Sequence, residues 1–235
     1  MGGDRRTEQK VRDVTLDQTV LTGQDLEDEG LDDWRILFST LHARFETGDF
    51  ATGVKLVDAI AKTAEEMNHH PDVDLTYPRV DVRLTSHDVG GVTKRDVRLA
   101  RTVSALAEQL GAIPKPGETS VLELALDTPN FAEVKPFWAA LLRYAPNDDH
   151  DDELNDPDGT MPSIWGQQTD PHETPRQRWH LDLRVPPETV DLRIERALQA
   201  GGTLVSDEHA PAFWVLADPQ GNKACITTWR GRGIA

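Results

Sequence analysis

The stretch Gly111-Ala112-Ile113-Pro114-Lys115-Pro116-Gly117-Glu118 constrains the architecture of this chain most, because two glycines and two prolines in eight residues interrupt helical and strand patterns alike. With 235 residues the chain is long enough to bury two cores, and the break separates two unlike halves. We expect one domain over residues 15–113, a linker over 114–118, a second domain over 119–232, and a disordered lead-in over 1–14.

In the first half, Thr22-Gly23-Gln24-Asp25 has the composition of a cap on a short acidic helix, and Trp34 to Phe45 mixes alternation with β-formers as a strand pair would. After Thr47-Gly48-Asp49, residues Val57, Ile60, Ala64 and Met67 recur at helical spacing and run into Asn68-His69-His70-Pro71. A residue before proline is biased out of the helical region, so Pro71 is expected to end this helix, with His69 and His70 at or just past its C-terminus. Val73 to Ser86 reads as a strand or hairpin, with Val80, Val82 and Leu84 on one face and Asp81, Arg83 and Thr85 on the other. Gly90-Gly91 then turns the chain, Thr93 is an N-cap with Asp96 as its first-turn acidic partner, and Leu99, Val103, Leu106 and Leu110 form the stripe of a second long helix ending at Gly111. The first half is therefore an α+β sandwich, a small antiparallel sheet covered by two long helices.

The second half shows one pattern twice. Val121 to Asp127 is an apolar strand, Phe131 to Tyr144 a helix, Trp179 to Arg184 an alternating strand, Val190 to Ala200 a helix ending in Gly201-Gly202, and Phe213 to Trp229 a hairpin turning at Asp218-Pro219-Gln220-Gly221-Asn222. A strand, a helix and three further strands, repeated once, is how two half-modules build a cupped sheet. Between them, Asn147 to Asp158 carries seven acidic side chains in twelve residues; it lacks the ordered alternation and terminal glutamate of a calcium loop and reads as a solvated loop.

Charge excludes some partners. Forty-one acidic against 25 basic residues give a formal net charge of -16, which argues against nucleic acid or an anionic membrane surface. The single cysteine, Cys225, rules out an internal disulfide framework, fits a reducing cytoplasm, and reads as a small buried hydrophobe. Met1 to Asp13 has no apolar run, so neither a secretory signal nor a membrane span is expected there.

The chemistry-bearing residues cluster around one helix end and one strand end. Glu65 is followed after three residues by His69-His70-Pro71, after five more by Tyr77, after nine by His87 and after eight by Asp96. Histidine titrates near neutrality and can both give and take a proton at cellular pH. This spacing resembles the pterin-4a-carbinolamine dehydratases, and Val121 to Trp229 resembles the glyoxalase-like branch of the vicinal oxygen chelate superfamily in Phe137-Trp138, His180-Leu181-Asp182-Leu183 and Asp218-Pro219-Gln220-Gly221-Asn222.

The first resemblance implies a bacterial-type hydro-lyase fused to a second domain. Its reaction removes water from 4a-hydroxytetrahydropterin to give quinonoid dihydropterin, with no metal or organic cofactor, and its relatives pair into dimers and tetramers. It maps the acid/base pair onto His69 and His87 and a substrate-orienting group onto His70, with Asn68, Pro71 and Asp88 at the substrate. Glu65, one helical turn before His69, is positioned to raise that imidazole's pKa or hold its tautomer. Tyr77 reads as a packing residue, and Asp88 and Asp96 as caps rather than catalysts. A zinc site on the three histidines is disfavoured, since adjacent His69 and His70 face one ion with difficulty. The second resemblance places its metal positions at Ser120, His180 and Cys225. His180 with Cys225 alone makes a poor divalent site, so a metal-free cup is expected, with His180, Asp182 and Arg184 on one strand face lining it. Two rival functions are a different proton-transfer reaction on a specialised metabolite and a non-catalytic oligomerisation or ligand-binding role.

Overall fold

The computed structural model describes residues 18–132, 134–135, 139, 144–147, 150–171, 179–199, 201–217 and 223–231. It divides into two compact units between Thr119 and Ser120. Among the described residues, no helix is long and apolar enough to cross a membrane.

The first unit begins with a short helix, α1 (Gly23–Asp28), capped by Thr22 in a reciprocal box with Asp25. Strands β1 (Trp34–Leu37), β2 (Thr40–Glu46), β3 (Asp72–Thr76) and β4 (Arg79–Leu84) form an antiparallel sheet in the order β1-β2-β4-β3. Between β2 and β3 runs α2 (Phe50–Met67), and after β4 comes α3 (Lys94–Gln109). Strand alternation sends Leu41, Ala43, Phe45, Val80, Val82 and Leu84 to one face, where they pack with Leu56 and Ile60 of α2 and Val97, Leu99 and Val103 of α3 in one core. The opposite face is charged: the Arg44 guanidinium grips Asp81 through Nε at 2.6 Å and Nη2 at 3.0 Å, and Arg83 pairs with Asp74 at 2.5 Å.

Two features differ from the sequence expectation. Helix α2 stops at Met67, ahead of Pro71, because Asn68 adopts a left-handed conformation with φ 48° and its N–H bonds back to the Ala64 and Glu65 carbonyls. The stretch expected as a linker is docked on the first sheet. Its strand β5 (Ile113–Pro114) pairs with Phe45 and Glu46, and a 3-10 turn (Pro116–Glu118) offers the Glu118 carbonyl to Arg44.

In the second unit, β6 (Val121–Thr128), β7 (Ala145–Pro146), β8 (Glu153–Asn155) and β9 (Ile164–Gln168) are followed by β10 (Trp179–Arg184), α4 (Val190–Gln199), β11 (Thr203–Ser206), β12 (Phe213–Ala217) and β13 (Lys223–Thr227). The sheet order is β11-β12-β13-β10-β6-β9-β8-β7. Each half-module thus sets its first strand parallel to its last, and the two first strands, β6 and β10, meet antiparallel at the centre. That mirrored order is the two-copy pattern read from the sequence. One sheet face is apolar: Leu124 and Ile164 pack with Phe131, Tyr144 and Leu154, while Leu183, Leu216 and Ile226 pack with Val185, Val190 and Ile194. Much of the expected Phe131–Tyr144 helix, with Phe137-Trp138, and the whole 218–222 turn lie outside the described residues, as does the 1–14 lead-in. The acidic segment 147–158 is not all loop, since β8 runs through it.

Candidate active site

The left-handed turn at Asn68 decides where the two adjacent histidines go. Asparagine tolerates positive φ better than most side chains, and this residue reverses the chain so that the next N–H, that of His69, also bonds to Ala64 at 3.1 Å. His69 is carried inward and is 8% exposed, whereas His70 faces solvent.

Buried His69 meets the start of α3. Thr93 caps that helix, and Asp96 returns the cap: Asp96 Oδ2 accepts from the Thr93 N–H at 2.7 Å and the Thr93 hydroxyl at 3.2 Å. The same oxygen accepts from the Ser86 hydroxyl at 2.7 Å, and Ser86 is held at the end of β4 by a bridge to Gly91. The other oxygen, Oδ1, lies 2.7 Å from His69 Nε2. Asp96 is 0% exposed. Burial pushes its carboxyl upward, but the hydrogen bonds from His69, Ser86 and Thr93 together outweigh that and hold it below the usual carboxylate range. An ionised carboxylate only accepts, so His69 Nε2 must carry the hydrogen. The remaining ring nitrogen, Nδ1, is then a lone pair when the imidazole is neutral and a second donor when it is protonated, as acid/base exchange with a ligand requires.

The other expected site residues take distinct places. Glu65 does not serve His69: its Oε1 lies 3.3 Å from His70 Nε2, and both side chains are mostly exposed, which corrects the one-turn pairing expected from sequence. The physical reason is the Asn68 reversal, which takes His69 off the helical register. His87 is exposed beside Asp88, whose carboxylate receives Arg95 Nη2 at 2.6 Å. That hydrogen bond, opposed by desolvation and aided by the Arg95 and His69 charges, holds the Asp88 carboxyl below its ordinary value. Pro71 leads directly into β3. Tyr77, expected to pack, is instead 73% exposed, in the turn between β3 and β4. Asp96 is the cap that sequence reasoning gave it, and also the partner of His69, a role it missed along with Ser86. The Thr93–Asp96 cap uses Oδ2 alone, and only the fold brings His69 to Oδ1.

The second unit brings another polar set together on the sheet face opposite its apolar clusters. The registers His180↔Ala125, Asp182↔Glu123 and Asp182↔Cys225 place His180, Asp182, Arg184, Glu123 and Cys225 on that face. His180 Nδ1 lies 3.1 Å from Asp127 Oδ1, and Arg184 Nη1 donates to the Thr228 carbonyl at 3.0 Å. Burial, followed by the Asp182 charge on the neighbouring strand, pushes the Glu123 carboxyl up to about 7. Cys225 is half-buried among these polar groups and is not the hydrophobe expected from sequence.

The first unit is thus an α+β sandwich with a buried histidine–aspartate pair at the junction of two helix ends. Its family profile, Pterin 4 alpha carbinolamine dehydratase, matches residues 18–106, and a Glyoxalase-like domain profile matches residues 123–227. A protein of Aquifex aeolicus named "Putative pterin-4-alpha-carbinolamine dehydratase" is 36% identical over 82 residues, which cover 35% of this chain and 83% of that protein. One of the same name from Nostoc punctiforme is 33% identical over 89 residues, covering 37% and 96%. A solved structure of a transcriptional coactivator/pterin dehydratase from Brucella melitensis aligns at 32% identity over 38% of this chain and 99% of that one, with a TM-score of 0.37. The chain belongs to the pterin-4a-carbinolamine dehydratase family through its first half, fused to a glyoxalase-like domain in its second.

Proposed function

We propose that the first unit is a hydro-lyase that dehydrates 4a-hydroxytetrahydropterin to quinonoid dihydropterin by histidine acid/base catalysis. The observation that carries this is the 2.7 Å link between His69 Nε2 and buried Asp96, which leaves His69 Nδ1 as the nitrogen that meets substrate. In the reaction one proton goes to the 4a-hydroxyl oxygen, the N5 lone pair expels it as water, and the N5 proton is lost to a base. Atoms balance without an added cofactor, because the ring nitrogen supplies the electron pair. His69 and His87 divide the two proton transfers, while His70, steadied by Glu65, orients the ring. Asn68 and Pro71 set the direction of the histidine pair, and Asp88, paired with Arg95, is the third expected substrate contact. The second unit is read as a small-molecule-binding domain.

Stopped-flow absorbance of chemically generated 4a-hydroxytetrahydropterin tests this at neutral pH. Dehydration well above the spontaneous rate, falling by about 10²-fold or more in His69→Ala and in His87→Ala, is the expected result. A wild-type rate equal to the spontaneous one would remove the dehydratase reading and leave a binding role for this fold.

A further inference from the structure

Two buried polar atoms on the polar face of the second sheet have no partner, and they are of opposite kinds. Asp182 is 3% exposed, and its Oδ1 accepts no hydrogen bond; the Nε1–H of Trp165 is buried and donates none. His180 does not supply the missing hydrogen. Its Nε2 lies 3.7 Å from Asp182 Oδ1, too far for a hydrogen bond, and Asp127 Oδ1, 3.1 Å from Nδ1, keeps the ring's hydrogen on the other nitrogen. An orphaned buried polar group costs stability, which a ligand that completes it returns.

The two orphans border one place on the sheet. Trp165 and His180 both stand opposite Ala125, on the two strands that flank β6, and their rings meet edge-on at a centroid distance of 6.1 Å. Glu123, two residues before Ala125 and on the same face, stands opposite Asp182. Ala125 is thus ringed by an indole donor, an imidazole lone pair and two carboxylates. Glu123 is itself 8% exposed, and among the described residues its one hydrogen-bond donor is Ser163 Oγ, 3.2 Å from Oε1. Burial and then the Asp182 charge push its carboxyl up to about 7; Arg184 opposes the rise, Glu153 adds to it, and the Ser163 hydrogen bond opposes it. The carboxylates and the imidazole call for N–H donors, whereas Trp165 calls for an acceptor. A metal ion or a simple ammonium meets the first demand and leaves the indole N–H orphaned. A planar ring with neighbouring N–H groups and a carbonyl beside them meets both.

We propose that the polar face of the second unit binds the 2-amino-4-oxopyrimidine ring common to pterins, with Glu123 and Asp182 accepting from its N–H groups and Trp165 Nε1 donating to its carbonyl. This rests on the reading of the second unit as a small-molecule-binding domain, and it gives that domain the compound class handled by the first.

The test is calorimetric titration of the full chain with 7,8-dihydropterin under anaerobic conditions, a ring whose N–H groups stay protonated between pH 6 and pH 8. The expected result is one equivalent of binding that disappears in Glu123→Gln while the rest of the titration is unchanged. Trp165→Phe, which keeps an aromatic face and removes the N–H, should weaken that equivalent by about tenfold. Lumazine, with a carbonyl in place of the 2-amino group, should bind there at least tenfold more weakly, because it turns an acceptor toward the carboxylates. Glu123 must be ionised to accept, so affinity should rise about tenfold from pH 6 to pH 8. A wild-type titration with no Glu123-dependent equivalent overturns the proposal, as does lumazine binding there as tightly as dihydropterin. Should Glu123→Gln not fold, Trp165→Phe decides, and unchanged affinity in that variant overturns the proposal. Failure of the dehydratase reading looks different: the Glu123-dependent equivalent persists and only the accelerated dehydration is missing.

Discussion

Replacing Asp96 with asparagine separates its two roles. The carboxylate accepts three short hydrogen bonds at 2.7 Å, from His69, Ser86 and the Thr93 N–H, plus a longer one at 3.2 Å from the Thr93 hydroxyl. An amide oxygen placed where Oδ2 lies keeps the bonds to Ser86 and Thr93. The amide nitrogen then faces His69, whose Nε2 must become an acceptor, and the ring hydrogen moves to Nδ1. A charge-assisted hydrogen bond is worth about 1.5–3 kcal/mol and a neutral one about 0.5–1.5, so the exchange should cost about 1–2 kcal/mol of stability in urea unfolding. The kinetic effect should be larger, because a neutral His69 would no longer present a lone pair to substrate: about 10²- to 10⁴-fold in stopped-flow dehydration. Acid unfolding adds a signed check. Asp96 has its folded pKa below the unfolded value, so its contribution is present above about pH 4 and is lost as pH falls through the folded value. The Asn variant should therefore show a shallower acid limb than wild type. Ser86→Ala removes two hydrogen bonds, to Asp96 at 2.7 Å and with the Thr93 hydroxyl at 2.9 Å, without changing the tautomer and should cost stability with less than a tenfold rate loss. An Asn variant that loses the stability but keeps the wild-type rate would refute the relay and leave Asp96 as a helix cap alone.

Two further outcomes follow from packing and burial. His42, half-buried on β2, has its pKa lowered to about 4 by burial first and the Arg83 charge second, with Asp81 opposing. The unfolded chain then takes up this proton more readily, so stability falls as pH drops from about 6.5 towards 4. His42→Gln should unfold about 2 kcal/mol less readily than wild type at pH 5, relative to their difference at pH 8, in urea titrations of the first unit; equal pH dependence would show that the imidazole is free to charge. Gly166 on β9 lies under Phe131, where an added Cβ would come within 2.3 Å of the ring. Gly166→Ala should lower the unfolding free energy of the second unit by about 1–3 kcal/mol in urea titrations, and Phe131→Ala should relieve part of that cost in the double variant. Additive losses would mean that the two residues do not share this contact.

Local pattern was enough to read much of this chain. Helical spacing from Val57 to Met67 and from Leu99 to Leu110, alternation in Val80-Val82-Leu84, and the Thr93–Asp96 cap each depend on near neighbours, and so the sequence itself determined both long helices, the hairpin, the repeated half-modules and the histidine cluster. Which groups meet across long sequence separations was a different matter. Glu65 stands one turn before His69 by counting, yet a single left-handed residue at Asn68 gave it His70 instead, while the partner of His69 came from 27 positions further on. Likewise, 43 residues separate Asp182 from Cys225, and only the parallel register of β10 on β13 made them neighbours. Periodicity states which face a residue occupies; the tertiary structure alone decided what lies opposite that face, because strand register and helix reversal are settled by the packing of the whole core.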